Sequence, residues 1–408
     1  MELLSKMQLS EKVCNIPEAL SVYMNNVVYE MKRKGERIYV LSLGEAYFDI
    51  PMFSFEKIDF KKGYHYSESR GMYDLRQVIA KYYNTHYGSQ VNPDTDLLIS
   101  AGSKPLIYMA FQAVLNPGDE VLIHEPAWLS YPEEIKLANG VPKYIPYDCC
   151  VDEFEQYFTD QTRIVVICNP NNPAGRVYSK AELEKLYSIC RPRGIYILVD
   201  EAYSDFFVDD GFTSMAAVVP DLDGVIVMNS LSKNMGISGW RVGYVISSKD
   251  VIYNILKLNQ HLVTCPATIL LLYLTEYFDD ILKITLPQAR DVVSKRAEID
   301  DYCRSIGLES LPGSATFYLF LNIGDYKYTS LDLALYLLTK YNISVVPGLA
   351  YGQSTSRFIR IGVGAESMED IKKSLDKIKE VIRNNEFDSK FVNAKLNELN
   401  MNRFEETN

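Results

Sequence analysis

The stretch "VIVMNSLSKNMGISGWRVG", residues 225–243, opens on an apolar run and ends in a turn crowded with serine and glycine, carrying two cations, Lys233 and Arg241. An unbroken apolar run bounded by turn residues reads as a strand covered on both faces, as in a mostly parallel sheet flanked by helices. A lysine just past such a strand is ordinarily a solvated surface group. Its surroundings decide otherwise only if other strand ends converge on the same chemistry, because open parallel sheets bind ligands outside the carboxyl ends of their strands.

The same alternation extends upstream. From about residue 96, strand-like runs ("DLLIS", "EVLIHEP", "VPKYIPY", "RIVVICNP", "IYILVDEAY") take turns with helical patterns ("KPLIYMAFQAVL", "WLSYPEEIKLA", "KAELEKLYSIC"). "NPGD" at 116–119 and "NPNNPAG" at 169–175 punctuate them as turns. The pattern predicts an α/β fold with a mostly parallel sheet and helices on both faces. From about residue 285 it shifts to longer helices with few strands, among them "TFYLFL" and "RFIRIGV", which predicts a smaller α/β lobe over 286–385. Residues 51–285 form the large domain in this reading, and 1–50 join the small one. The polar, Asn-rich stretch 386–408 is read as a surface helix or a loosely ordered tail.

Composition narrows the function. At 408 residues, 47% hydrophobic and 23% charged, the chain is an ordinary globular protein with room for a large core. A formal charge of -11 without a Lys/Arg block argues against nucleic acid as a partner. No apolar run reaches the roughly 20 residues of a membrane helix, and the N-terminal "MELLSKMQLSEKVCN" lacks the layout of a secretion signal, so the expected location is the cytoplasm. Seven scattered cysteines show neither a disulfide framework nor metal-binding spacing, and no metal is expected. The 30 tyrosines are unusual in number and suit polar-lined pockets as well as core packing.

Five strand ends carry chemistry. In "LLISAGSKPLIYMAF", Gly102, Ser103 and Lys104 open a helix whose backbone N–H groups can cradle a phosphate, although alone this is a plain tight turn. Trp128, after "EVLIH", can lay its indole against a planar ring, or pack in the core. "NPNNPAG" presents Asn169, Asn171 and Asn172 at the end of a strand. Asp200 closes the run "IYILV" with Tyr203 three residues on, and a carboxylate at the end of a buried strand requires a partner. The opening stretch adds an amine at Lys233, hydroxyls at Ser230 and Ser232, and a planar cation at Arg241 suited to phosphate. A phosphate cradle, a stacking indole, an amide, a carboxylate for a pyridinium nitrogen and a lysine able to form a Schiff base together describe a site for pyridoxal phosphate.

With these motifs the chain resembles the class I and II aminotransferases of fold type I, within the subgroup carrying the "NPNNPTG" motif, over about residues 35–380. The resemblance implies a Schiff base to pyridoxal 5'-phosphate on Lys233 in "SLSK", and phosphate contacts from Arg241 in "GWRVG", from Ser230, and from Ser103 with Lys104. It implies Asp200 on the ring nitrogen, Tyr203 and Asn172 on the ring hydroxyl, and Trp128 against the ring face. Gly44, Asn172 and Arg360 in "RFIRIG" would bind substrate, with Arg357 the second choice for its α-carboxylate. "YSESRGMYDLR" resembles the segment whose tyrosine, here Tyr66, reaches the neighbouring subunit's phosphate, which implies a homodimer with shared active sites. The activity implied is ping-pong transfer of an amino group between an L-amino acid and a 2-oxo acid, with Lys233, Asp200 and Tyr203 as the catalytic residues. A lyase or cyclase on the same scaffold is the alternative, and a cofactor-binding regulator a more distant one. The segment "GEAYFDIP", 44–51, departs from the family's "GEPDF" at Ala46 and Tyr47, and is expected to line the substrate side of the site.

Overall fold

The computed structural model describes residues 9–208 and 211–404. Its twelve strands are β1 (Tyr39–Val40), β2 (Leu97–Ser100), β3 (Glu120–His124), β4 (Val141–Ile145), β5 (Thr162–Cys168), β6 (Tyr196–Asp200), β7 (Val225–Ser230), β8 (Gly243–Ser247), β9 (Tyr318–Asn322), β10 (Ile343–Ser344), β11 (Val346–Pro347) and β12 (Phe358–Gly362). Seven of them form one sheet in the order β2-β8-β7-β6-β5-β3-β4, parallel throughout except for β8, which runs against both of its neighbours.

The unbroken apolar runs follow from double coverage. Leu97 and Ile99, Val165 and Ile167, Ile197 and Val199, and Val225 and Val227 point into one core, under the helices Tyr73–His86, Lys180–Cys190 and the first half of Thr268–Ser305. The alternate residues Leu98, Ile164, Val166, Leu198, Ile226 and Met228 face a second core, under Ser103–Val114, Tyr131–Leu137 and Lys249–Leu262. Period-two alternation is invisible in such a sequence because both faces are apolar.

A separate core holds β9, β11 and β12 as an antiparallel sheet, with Leu20–Arg33, Ser330–Tyr341 and Met368–Asn384 packed around it. The parallel pair β1 and β10 ties the N-terminal segment to this lobe. Ile371, Leu375, Ile378 and Val381 recur at helical spacing on the buried stripe of Met368–Asn384, whose N-cap Ser367 accepts from the Asp370 amide at 3.1 Å.

Two boundaries differ from the sequence expectation. The change of pattern near residue 285 lies inside one continuous helix, Thr268–Ser305, which carries Pro287 in its interior. Its first half buries Leu271, Leu274 and Phe278 in the large core, and its second half buries Val293, Ile299 and Cys303 in the small one. Helical periodicity continues across the junction; only the partner changes. Of the two expectations for the polar stretch after 385, a surface helix or a loose tail, its described part takes the helix, packed more deeply than a surface element. Residues Ser389–Glu398 form a helix that buries Val392 and Leu396, followed by buried Leu399, in the small core. Three apolar residues at a helical spacing suffice to dock it, which the Asn-rich composition masked. Leu396→Ala is therefore expected to cost about 2–4 kcal/mol in a denaturant titration. A surface tail would change stability by less than about 0.5 kcal/mol.

Candidate active site

The carboxyl ends of β2, β5, β6 and β7, the entry to β8, and β12 of the small sheet border one cavity of about 520 Å³. Gly44, Ser103, Lys104, Trp128, Asn172, Asp200, Tyr203, Ser230, Lys233, Arg241 and Arg360 all line it. Tyr66 does not: it stands outside, 86% exposed. Arg357 is also elsewhere, donating to the carbonyls of Gly324, Tyr326 and Tyr328 as a clamp on a loop.

Lys233 sits on the single helical turn Leu231–Asn234 directly after β7, capped by the Ser230 hydroxyl, which accepts from the Ser232 amide at 3.2 Å. Its Nζ donates to the Gly44 carbonyl at 2.6 Å. Burial lowers its pKa to about 8; the Glu45 and Asp200 carboxylates pull the other way, while Arg360 and Arg241 add to the fall. Lys233 therefore loses its proton more readily than an ordinary lysine.

Asp200 ends β6 and is buried. Its Oδ2 accepts from the Tyr131 hydroxyl at 2.7 Å and its Oδ1 from the Ala202 amide at 3.1 Å. Burial raises its pKa, against those two hydrogen bonds and the charge of Lys233. A carboxylate held this way still faces the cavity and is suited to a cationic partner there.

The anion-binding side is built by close approach. Gly102 precedes the helix Ser103–Val114 with φ 96°, and a Cβ there would stand 2.5 Å from Arg241 Nη2. A Cβ on Gly243 would meet the Ser103 amide nitrogen at 2.3 Å. The helix N-terminus, the Ser230 and Ser232 hydroxyls and the Arg241 guanidinium therefore gather at one end of the cavity. Lys104 Nζ lies 4.9 Å from the Trp128 ring centroid.

At the other end Arg360 is buried. It donates to Asn172 Oδ1 at 3.2 Å and to the Ser42 carbonyl at 2.7 Å, with its guanidinium carbon 4.3 Å from the centre of the Tyr318 ring. Its Nε has no hydrogen-bond partner among the described residues. A buried guanidinium with a spare donor and only neutral partners is arranged to receive an anion.

Several participants were not legible in sequence. Tyr131 supports Asp200 from three residues past Trp128, and Tyr318 braces the expected Tyr203 through a hydroxyl contact of 2.9 Å. Asp205 accepts from Asn234 at 2.6 Å and from Tyr82 and Tyr87, anchoring the turn that carries Lys233. The aspartate after "DEAYS" was the available signal, but nothing local distinguishes it from a surface residue. Asn169 and Asn171 brace the "NPNNPAG" loop, accepting from the amides of Tyr178 and Ala174 at 3.0 Å. In "GEAYFDIP" only Gly44 and Glu45 reach the cavity; Tyr47 is 67% exposed, so the expectation that the whole segment lines the site does not hold.

A sequence profile described as aminotransferase class I and II matches residues 54–378. The chain belongs to this family. The aminotransferase is 30% identical over 388 residues to an aspartate aminotransferase of Thermotoga maritima, covering 92% of this chain and 99% of the relative. It is 29% identical over 371 residues to aromatic-amino-acid aminotransferase 2 of Thermococcus litoralis, covering 87% and 94%. The structure of aspartate aminotransferase from Thermus thermophilus with maleate superposes with a TM-score of 0.83 at 25% identity, over 92% of this chain and 100% of that one. The enzyme is thus a pyridoxal-phosphate-dependent aminotransferase of fold type I.

The cavity fits that cofactor: it combines a helix N-terminus beside a guanidinium, a buried amine, and a buried carboxylate at the end of the adjacent strand. Gly102→Ala is expected to push the Arg241 guanidinium out of the cradle and weaken pyridoxal phosphate binding at least roughly tenfold, about 1.4 kcal/mol, in an absorbance titration. Unchanged affinity would mean that the phosphate is held elsewhere.

Proposed function

We propose that this aminotransferase exchanges an amino group between an L-amino acid and a 2-oxo acid at the cavity around Lys233, and that the residues named above divide the work. The observation that carries this assignment is that one cavity gathers the buried Lys233 with the buried Asp200 and with the buried Arg360, whose Nε lacks a partner among the described residues. When bound, pyridoxal phosphate supplies a protonated ring that takes up the electrons released at the substrate α-carbon.

The protein does the rest. Arg360, held by Asn172 and Ser42, grips the α-carboxylate and fixes the Cα–H bond of the substrate near Lys233. Lys233 Nζ, its basicity lowered by burial, is the base that takes the proton from the substrate α-carbon and delivers it to the C4' position of the cofactor. Asp200, kept in place by Tyr131 and the Ala202 amide, holds the proton on the ring nitrogen. Tyr203, braced by Tyr318, and Asn172 serve the ring hydroxyl. Ser103, Lys104, Ser230 and Arg241 hold the phosphate, while Trp128 covers the ring face and keeps water out.

Two further features belong to this reading. The chain acts as a homodimer: Met52, Phe60, Tyr64 and Tyr66 expose large apolar surface along one stretch, and Tyr66 would complete the partner's phosphate site. The enzyme works in the cytoplasm, where its seven cysteines, all free, stay reduced. Among the described residues no helix is long and apolar enough to cross a membrane. The 51–285 and 286–385 division stands for two cores that meet through the helix Thr268–Ser305.

The direct test is an absorbance spectrum of the holoenzyme during addition of single amino acids without a 2-oxo acid. Conversion to the pyridoxamine form with one equivalent of 2-oxo acid is expected; catalytic release of ammonia would overturn transamination. Asp200→Asn should lower kcat/KM by about 10²–10⁴-fold with the fold intact. The rate of pyridoxal phosphate uptake by the cofactor-free protein should rise with pH through a midpoint near 8, where Lys233 loses its proton, and level off above it. A rate that climbs on toward about 10.4 would show that Lys233 behaves as an ordinary lysine.

A further inference from the structure

A second cavity, of about 560 Å³, lies beyond the wall formed by Trp128 and Leu129, which line both. Much of its lining is apolar: Ile16, Leu20, Ile123, Ala127 and Leu349 among others. Its polar lining includes two well-buried side chains with an unmatched atom. Glu134 Oε2 and the Tyr351 hydroxyl belong to residues only 7% and 2% exposed, and neither has a hydrogen-bond partner among the described residues. Buried polar groups are normally satisfied, so an unmatched pair on the wall of a cavity points to a ligand that supplies what the protein does not.

The charge balance specifies its chemistry. Glu18, Glu133 and Glu134 line this cavity against one cation, Lys136, which is already paired with Glu133 Oε1 at 2.9 Å. The first cavity is the reverse, with Lys104, Lys233, Arg241 and Arg360 on its walls. Glu134 sits on the helix Tyr131–Leu137, near Asp200 and Lys104; burial pushes its carboxyl up to about 8, Lys104 opposes the rise, and Asp200 adds to it. A carboxyl that burial keeps protonated ionises when a cation arrives beside it.

We propose that the second cavity binds the amine or guanidinium end of a small basic molecule, with Glu134 as its carboxylate partner and the Tyr351 hydroxyl as a second acceptor. The apolar walls suit the methylene chain behind such a head group. The Tyr351 ring is also 5.3 Å from the Arg360 guanidinium carbon, so the proposed carboxylate anchor and the second cavity share one aromatic wall. Two sources supply this chemistry: the side chain of a basic amino-acid substrate whose α-carboxylate rests on Arg360, which depends on the proposed function, or a separate basic ligand, which does not.

The test uses the holoenzyme in two arms. In the first, kcat/KM is measured for L-lysine, L-arginine and L-norleucine as amino donors; the substrate source predicts a basic donor preferred over norleucine at least tenfold, with the ratio falling at least tenfold in Glu134→Gln. In the second, n-butylguanidine, which has neither an α-amine nor a carboxylate, is titrated calorimetrically at pH 7.5. A separate site predicts saturable binding with release of a proton from Glu134, undisturbed by norleucine and weakened at least tenfold by Glu134→Gln. Tyr351→Phe should weaken the same interaction less. A wild-type enzyme that transaminates norleucine, shows no preference for lysine or arginine and binds no butylguanidine overturns the proposal without reference to any variant. An enzyme that converts no amino acid at all refutes the proposed function instead, and the calorimetric arm still answers for the cavity.

Discussion

The site depends on one close approach of backbones. Gly243 begins β8 and pairs with both Ser100 at the end of β2 and Ser230 at the end of β7, while its missing side chain leaves room for the Ser103 amide. Because β8 runs against its neighbours, its entry lies where they finish. The residues just before it, including Arg241 in a left-handed conformation at φ 55°, are therefore delivered to the same point as the Lys233 turn and the helix that starts at Ser103. Three segments far apart in sequence reach the anion end of the cavity through one glycine.

Electrostatics then separates the tasks. Burial acts on Lys233 and Asp200 in opposite directions, making the amine a weaker base and the acid a weaker acid, and each is moderated by the other's charge. Neither needs a distant charge to work. Below them the carboxylate of Asp205 stays ionised: burial would raise its pKa, but donors including His86, Tyr82, Tyr87 and Asn234 more than offset this. The neighbouring Glu201, with fewer and weaker donors to oppose its burial, is held up at about 7. The acidic run after β6 thus contains one carboxylate facing the cavity and two that fasten the scaffold beneath it.

Much of this was legible from residues 96–243, because buried parallel strands announce themselves as apolar runs and their polar ends are where ligands bind. Each candidate read from a strand end, apart from Gly102 and the two bracing asparagines, lines the cavity, as do Gly44 and Arg360 from the other lobe. The antiparallel setting of β8 was not legible, since an apolar strand reads the same in either direction. Nor was Tyr131, whose position at the start of a helix looks like ordinary packing until its hydroxyl is seen on Asp200. Glu134 was hidden for the same reason: in "PEEIKL" it looks like the exposed half of an acidic pair, and only the tertiary fold turns it inward. Tyr66 stands exposed and apart from the cavity within one chain.

The helix Thr268–Ser305 gives the molecule a shared beam in place of a hinge. Its apolar stripe is satisfied by one core for its first half and by another for its second, with the Pro287 ring interrupting the hydrogen-bond ladder between them. A chain cut at the apparent compositional border would leave each fragment with half a helix and an uncovered face, so the two lobes are not separable folding units in the usual sense. Loss of packing at one end of that beam removes support from the other, because the same helix completes both cores.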